Sequence, residues 1–474
     1  MVFCSEQFLV FFVPIFLLYW ALPWQRARTA LLLAASFYFY ASWKLELALL
    51  ICASTTIDFF LARGIEASSD PRRRRLLLTI NIVGNLGLLC YFKYANFFLD
   101  SLRQALQAAG MHTALRPLEI LLPVGISFYT FEAINYMVDV YRGKVKAERN
   151  LAHFMLFILF FPHLVAGPIV RARDFLPQIG RRKRWSWLRM EIGVRFFLMG
   201  LFKKFAIADR MAQFVDPVFA DPVAFKTGAI WVAVLAYALQ IYCDFSGYTD
   251  MALGIAHLLG FHLARNFDMP YLSTNIAEFW RRWHISLSSW LRDYLFIPLG
   301  GSRGGTWLTC RNLMITMTLG GLWHGASWTF VAWGVLHGLL LVVHRGVRAF
   351  CEARPVLHAA LNTMPGTLLR GGLTFLCVCV GWVFFRATTF GGAAEILRRM
   401  FVSEGWRSSA LHSMGMWYTL VFVALCHAAA VTGLWKRLSV RLPAPVLGWA
   451  YSLTLTFALL LAPPTGKAFI YFQF

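Results

Sequence analysis

Long apolar runs cut by short clusters of basic residues constrain this chain more than any other feature. Runs such as Phe8–Leu22, Leu47–Ala62 and Leu76–Phe98 alternate with Arg26 and Arg28, Arg72 to Arg75, Arg181 to Arg184, Lys203 and Lys204, Arg281 and Arg282, and Lys436 and Arg437. Of the 474 residues, 59% are hydrophobic and only 14% charged. Soluble domains run nearer half apolar and about a quarter charged. So little polar surface does not coat a soluble globule of this length, and lipid must be part of the solvent. The formal net charge of +22 would suggest nucleic acid in a soluble protein. Here it sits between apolar runs, as the positive-inside rule places it, and nucleic-acid binding is not expected.

A spanning helix needs about 20 mostly apolar residues. Candidate segments run near Phe8–Leu22, Thr29–Ala41, Leu47–Ala62, Leu76–Phe98, Leu118–Tyr136, Leu151–Val170, Val194–Ala208, Ile230–Tyr242, Met251–Phe261, Leu313–His344, Leu373–Phe385, Tyr418–Val431 and Val446–Leu461. Several are short, which fits tilted, re-entrant or half-buried segments shielded by protein. The expectation is an all-α polytopic membrane protein of roughly 9–12 spanning helices, with re-entrant and interfacial helices beside them. Met1 to Gln7 carries no basic side chain, and no small-x-small cleavage site follows Phe8–Leu22, so this run reads as a retained first span rather than a signal peptide. With Arg26, Arg28 and Arg72 to Arg75 inside, the N-terminus lies outside. The nine Cys are scattered without a Cys-x-x-Cys and read as small buried hydrophobes. No internal repeat or long polar linker is evident, so residues 1–474 read as one membrane domain.

Ionisable groups inside apolar surroundings are costly and point to cavities or partners. Pro123 and Gly125 can break a helix near Ser127 and Glu132. His163 ends an apolar segment and reads as a structural histidine. Asp244, Ser246, Gly247 and Asp250 read as hydrogen-bonding groups that hold a re-entrant segment, with no metal expected. Between Glu278 and Asp293, Trp280, Trp283, His284, Leu287, Trp290 and Leu291 recur at helical spacing. That spacing predicts one amphipathic interfacial helix with His284 on its apolar face. Arg311-Asn312 then precedes Gly320-Gly321-Leu-Trp323-His324-Gly325. A histidine flanked by glycines in a long apolar helix is expensive unless it lines an accessible path, and the glycines let a backbone or ligand come close. His337 and His344 read as packing or capping residues.

These stretches together carry a resemblance. Leu122-Pro-Val-Gly-Ile-Ser-Phe-Tyr, Phe161-Pro-His-Leu-Val-Ala-Gly-Pro, Asp244-Phe-Ser-Gly-Tyr-Thr-Asp, Asn266-Phe-Asp-Met-Pro-Tyr, Glu278-Phe-Trp-Arg-Arg-Trp-His-Ile-Ser-Leu, Trp290-Leu-Arg-Asp-Tyr-Leu, Gly321-Leu-Trp-His-Gly and the terminal Phe469-Ile-Tyr-Phe-Gln-Phe occur in this order. The chain resembles the membrane-bound O-acyltransferases, in the bacterial branch that contains the alginate O-acetyltransferase membrane subunit. The resemblance covers almost all of residues 1–350 and then fades until the tail.

It implies helices around a central tunnel, a catalytic core over 118–350, and transfer of an acyl group from a thioester to a hydroxyl. The family's essential histidine maps onto His324 and its second implicated histidine onto His284. Trp323, Asn312, Arg281, Arg282, Asp244 and Ser246 are the expected substrate-binding residues. No permanently bound cofactor is implied. The donor implied is cytoplasmic acetyl-coenzyme A or another acyl thioester. The acceptor implied is an extracytoplasmic polysaccharide, reached with an extracytoplasmic SGNH-type acetylase as partner, in the bacterial inner membrane. On chemistry alone, His324 could act as general base or as transient acyl carrier. D-Alanyl transfer to teichoic acid, a transporter, and a non-catalytic scaffold for the acetylase are the competing readings. The Asn266-Phe-Asp-Met-Pro-Tyr and terminal Phe-Gln-Phe stretches lean towards acetyl transfer.

Overall fold

The computed structural model describes all residues except 112, 404, 406–413, 435–436, 439–441, 464–468 and 471–474. Lys436 of one basic cluster and the last four residues of the terminal motif therefore lie outside the described residues. Among the described residues every regular element is helical, as the apolar patterning requires, because a helix satisfies its own backbone where no water can. Six helices among the described residues are long and apolar enough to cross a membrane: Leu45–Ala67, Pro71–Ala108, Thr227–Leu258, Trp328–Glu352, Met364–Arg386 and Met414–Val431. Glu6–Ala21 and Ala444–Leu460 are shorter apolar helices. The count by length and apolarity is below the 9–12 expected, for two reasons. Ile230–Tyr242 and Met251–Phe261, two expected segments, fall largely within one helix of 32 residues, Thr227–Leu258. Others, such as Ile126–Tyr141 (16 residues), are short.

The chain divides into two compact units. One comprises Met1–Phe197 with Ala252–Ala264. In it the expected break at Pro123 and Gly125 is present: Gly125 adopts φ 78° and caps the helix Ile126–Tyr141. A side chain there would be strained and would run into the Leu164 carbonyl. Glu132 and His163 meet inside this unit, with Glu132 Oε1 3.2 Å from His163 Nδ1 and accepting from the Val170 amide at 2.8 Å. Asn135 Nδ2 donates to the Val170 carbonyl at 3.1 Å. Polar side chains thus bind the loop after Leu164 to the helix, which agrees with the structural reading of His163.

The other unit comprises Leu198–Met251 with Arg265–Phe474 and holds every candidate site residue. Its centre is a hairpin. The expected apolar segment Leu313–His344 is two helices, Thr306–His324 and Trp328–Glu352, separated by Gly325, Ala326 and Ser327. Ser327 caps the second helix by accepting from the Thr329 amide. The two helices touch backbone to backbone. A Cβ on Gly321 would overlap the Phe330 carbonyl and lie 2.9 Å from Gly334 Cα, and one on Gly334 would overlap the Met317 carbonyl. Close packing through small residues is the means of helix association where lipid competes for apolar contact.

Gly321→Leu should therefore splay the hairpin. Overpacking a tight core costs about 1–3 kcal/mol, and backbone does not yield as a side chain does. Thermal unfolding in detergent should show a clearly lowered midpoint, whereas Gly346→Leu, at a glycine with open space around it, should leave it unchanged.

Candidate active site

His324 is the last residue of the helix Thr306–His324, where Gly325 turns the chain into extended backbone. The histidine therefore stands at a helix end and not in mid-helix, as the long apolar run had suggested. Its side chain is buried and boxed by aromatic rings set edge to face. Trp323 lies at 5.0 Å between ring centroids, Trp333 at 5.0 Å and Phe385 at 5.3 Å. Phe330 packs on Phe385 at 4.8 Å. These rings come from both arms of the hairpin and from the helix Met364–Arg386.

His284 is the second histidine of the site, its ring 6.4 Å from that of His324. Phe245 lies 4.6 Å from it and Trp323 6.0 Å. The single amphipathic helix expected over Glu278–Asp293 is interrupted here. The chain forms Ile276–Arg282 and Ile285–Leu291, with Trp283 and His284 between them. His284 takes φ 44°, ψ 55°, in the left-handed region, which is uncommon outside glycine. Asn266 holds the break: its carbonyl accepts from the Ile285 amide at 2.9 Å and its Oδ1 from the Ser286 amide at 3.1 Å. The apolar face inferred from spacing survives the break, since Trp280, Trp283, His284, Leu287, Trp290 and Leu291 are all buried. Arg281 and Arg292 on the other side are exposed, as an amphipathic segment requires. Burial pushes the His284 imidazole down to about 3, which favours its neutral form.

The remaining site candidates fall into two groups. Asp244 and Ser246 flank Phe245, but within the continuous helix Thr227–Leu258 and not in a re-entrant segment. Asp244 is held by Lys204 at 2.7 Å and accepts from the Ile470 amide at 2.7 Å. Lys204 also pairs with Asp209 at 2.7 Å, and Lys203 with Asp250 at 2.6 Å. Lys203 and Lys204 were expected in a basic loop. They belong instead to a π-helical turn, Lys203–Ala208, and neutralise carboxylates inside the unit. Ser246 is buried. Asn312 is also buried, donating to the Gly301 carbonyl at 3.0 Å and accepting from Arg311 at 2.9 Å. It sits twelve residues, about 18 Å along the helix axis, from His324. Arg282 pairs with Glu278 at 2.8 Å, while Arg281 is exposed. Partial burial works to raise the Glu278 carboxyl, but donors from Thr274 and Arg282 outweigh it and hold the group below its ordinary value. His284, Trp323 and His324 therefore come together, Asp244 and Ser246 border them through Phe245, and Asn312 stands apart.

Residues 146–366 match the membrane-bound O-acyltransferase family model. Over 422 residues the chain is 45% identical to the probable alginate O-acetylase AlgI of Azotobacter vinelandii, covering 87% of this chain and 80% of that protein. The chain belongs to the membrane-bound O-acyltransferase family. It is also 37% identical over 395 residues to the peptidoglycan O-acetyltransferase of Helicobacter pylori, covering 78% of this chain and 73% of the relative. A teichoic acid D-alanyltransferase of Bacillus subtilis is a more distant match, 28% identical over 292 residues, with 58% and 71% covered. This O-acyltransferase is a multi-pass membrane protein whose two histidines share one aromatic setting.

Reading the sequence missed Trp333, Phe385, Phe245 and Asn266 as members of the site. The first three sit in helices where an aromatic residue is indistinguishable from core. Asn266 opens the Asn266-Phe-Asp-Met-Pro-Tyr stretch, and its place two residues before Asp268-Met-Pro was the signal available. His337, read as packing, is buried 4.7 Å from Trp333 and 5.2 Å from Trp280 between ring centroids.

Lys204→Met leaves Asp209 and Asp244 buried together without their cation, a loss of about 3–5 kcal/mol for a broken buried pair. Folded yield and thermal midpoint in detergent should fall steeply. Asp244→Asn, which keeps the shape and an acceptor, should fall less.

Proposed function

We propose that this O-acyltransferase moves acetyl from a cytoplasmic thioester, acetyl-coenzyme A, towards hydroxyl groups of a polysaccharide outside the bacterial inner membrane, with His324 at the reaction centre. The observation that carries the proposal is the pairing of two buried histidines, 6.4 Å apart, inside a box of aromatic rings. Two relatives whose names specify acetyl transfer to a carbohydrate polymer add to it. The weaker similarity to a D-alanyltransferase leaves D-alanyl transfer as the less supported acyl chemistry.

His324 acts as general base in this proposal. Its neutral imidazole takes the proton of the acceptor hydroxyl as that oxygen attacks the thioester carbonyl carbon. The C–S bond breaks, and the departing thiolate recovers the proton from the imidazolium. Neutral His284 orients the acceptor hydroxyl or the thioester carbonyl by hydrogen bonding. Arg281, the exposed member of its pair, meets the phosphates of coenzyme A, and residues 118–350 form the catalytic core. An extracytoplasmic SGNH-type acetylase completes delivery where the acceptor lies beyond the membrane surface, and the N-terminus faces that side.

Positioned proton transfer contributes about 10²–10⁴-fold. His324→Ala, reconstituted in liposomes with labelled acetyl-coenzyme A, should lose activity by that order. Near-normal turnover in a folded variant overturns the proposal. Phe385 forms one wall of the box around His324. Phe385→Ala should shift donor preference from acetyl- towards butyryl-coenzyme A, read as the ratio of kcat/KM for the two. Mass spectrometry of envelope polysaccharides, with and without the protein, should show O-acetyl groups only with it.

A further inference from the structure

The first unit carries a groove that the acyl-transfer chemistry does not use. It runs between the helices Gln25–Ala41 and Leu151–Leu159 and encloses about 580 Å³. Its floor on the first helix is Arg26, Ala30, Leu33, Ala34 and Phe37, residues that recur at i, i+4, i+7, i+8 and i+11 along one face. Met155 and Leu159 supply the opposite wall. The two helices run parallel. Phe161, just beyond the second helix, donates its amide to Ser36 Oγ at 3.2 Å, and its ring lies 5.7 Å from that of Phe39. Both anchors are near the C-terminal end of Gln25–Ala41, so the N-termini of the two helices share the opposite end. That end is polar: Arg26, Asn150 and His153 line it. The groove is therefore amphipathic along its length, cationic at one end and apolar for the rest.

Two further observations fix what such a groove accepts. From Arg26 to Phe37 the helix rises about 16 Å, close to half of the ~30 Å hydrocarbon core, the depth of one leaflet. The cationic end also lies at headgroup level. Arg28 donates to the Lys183 carbonyl at 2.9 Å and Gln25 to the Ile179 carbonyl at 2.8 Å, which brings the basic stretch Arg181 to Arg184 alongside. Trp20 and Trp185 pack at 5.2 Å, Trp185 and Trp187 at 5.2 Å, and Trp24 and Trp187 are exposed. Tryptophans beside clustered cations at helix ends mark a membrane–water interface. Among the described residues no carboxylate pairs with Arg26.

We propose that this groove is a binding site for one anionic phospholipid, its phosphate on Arg26 with His153 and Asn150 beside it, and one acyl chain laid over Ala30, Ala34 and Phe37. The phosphate supplies a counter-charge to Arg26, and the chain covers the apolar lining of the groove. None of these residues belongs to the candidate acyl-transfer site around His324.

Native mass spectrometry of the full-length protein, released from a mild detergent, tests it with three probes: phosphatidylglycerol, diacylglycerol with the same chains, and inorganic phosphate. The wild type should retain one phosphatidylglycerol, much less diacylglycerol, and no phosphate. Arg26→Ala should lower phosphatidylglycerol retention about tenfold, the loss of one charge-assisted contact, to the level of diacylglycerol. Arg26→Lys should stay near wild type. Ala34→Trp, at an exposed position on the groove floor, should lower retention of both lipids. Unchanged thermal midpoints would show that the variants are folded. Equal retention of phosphatidylglycerol and diacylglycerol by the wild type overturns the headgroup assignment. Phosphatidylglycerol retention unaffected by both Arg26→Ala and Ala34→Trp overturns the site.

Discussion

In the hydrocarbon core no water is available to satisfy a polar group, and an unsatisfied backbone or side-chain group there costs several kcal/mol. Every polar residue that this protein keeps among its apolar helices therefore needs a partner from the protein itself. Lys204 answers Asp209 and Asp244, and Lys203 answers Asp250. Glu132 answers His163 and the Val170 amide. These pairings join residues far apart in sequence, and each fixes where two helices or a loop must meet. The polar residues that first look like chemistry are in large part the fastenings of the helices.

The two histidines differ from these groups in their surroundings. Carboxylates and lysines are met by opposite charge, whereas His284 and His324 are surrounded by aromatic rings. Such a setting favours the neutral imidazole, because burial among apolar rings penalises the charged form. A left-handed residue at His284 and a helix end at His324 present both side chains away from regular helical packing. Backbone departures of this kind persist only where the surroundings over-determine them. Here Asn266 and the glycine-lined hairpin supply that constraint.

Much of this was legible in the residues alone. Scarce charge and long apolar runs require a helical membrane protein, since a chain with so little polar surface has no soluble alternative. The Pro123–Gly125 break follows from backbone sterics, which are local. The importance of the Gly320-Gly321-Leu-Trp323-His324-Gly325 stretch follows from the expense of an imidazole in apolar sequence. Spacing also identified the buried face from Trp280 to Leu291, because side chains three and four apart share a face in each short helix.

Tertiary structure decided the rest. That Asp244 pairs with Lys204 depends on a residue forty positions away, which local pattern does not encode. The interruption at His284 depends on Asn266 reaching across to cap the second helix. The box around His324 needs Trp333 and Phe385, aromatic residues that look like core until folding brings them to one ring. Composition and spacing determined the solvent and the helices, and the family resemblance singled out His284 and His324. Only packing, which converts distant residues into neighbours, decided which polar groups are fastenings and which remain available for chemistry.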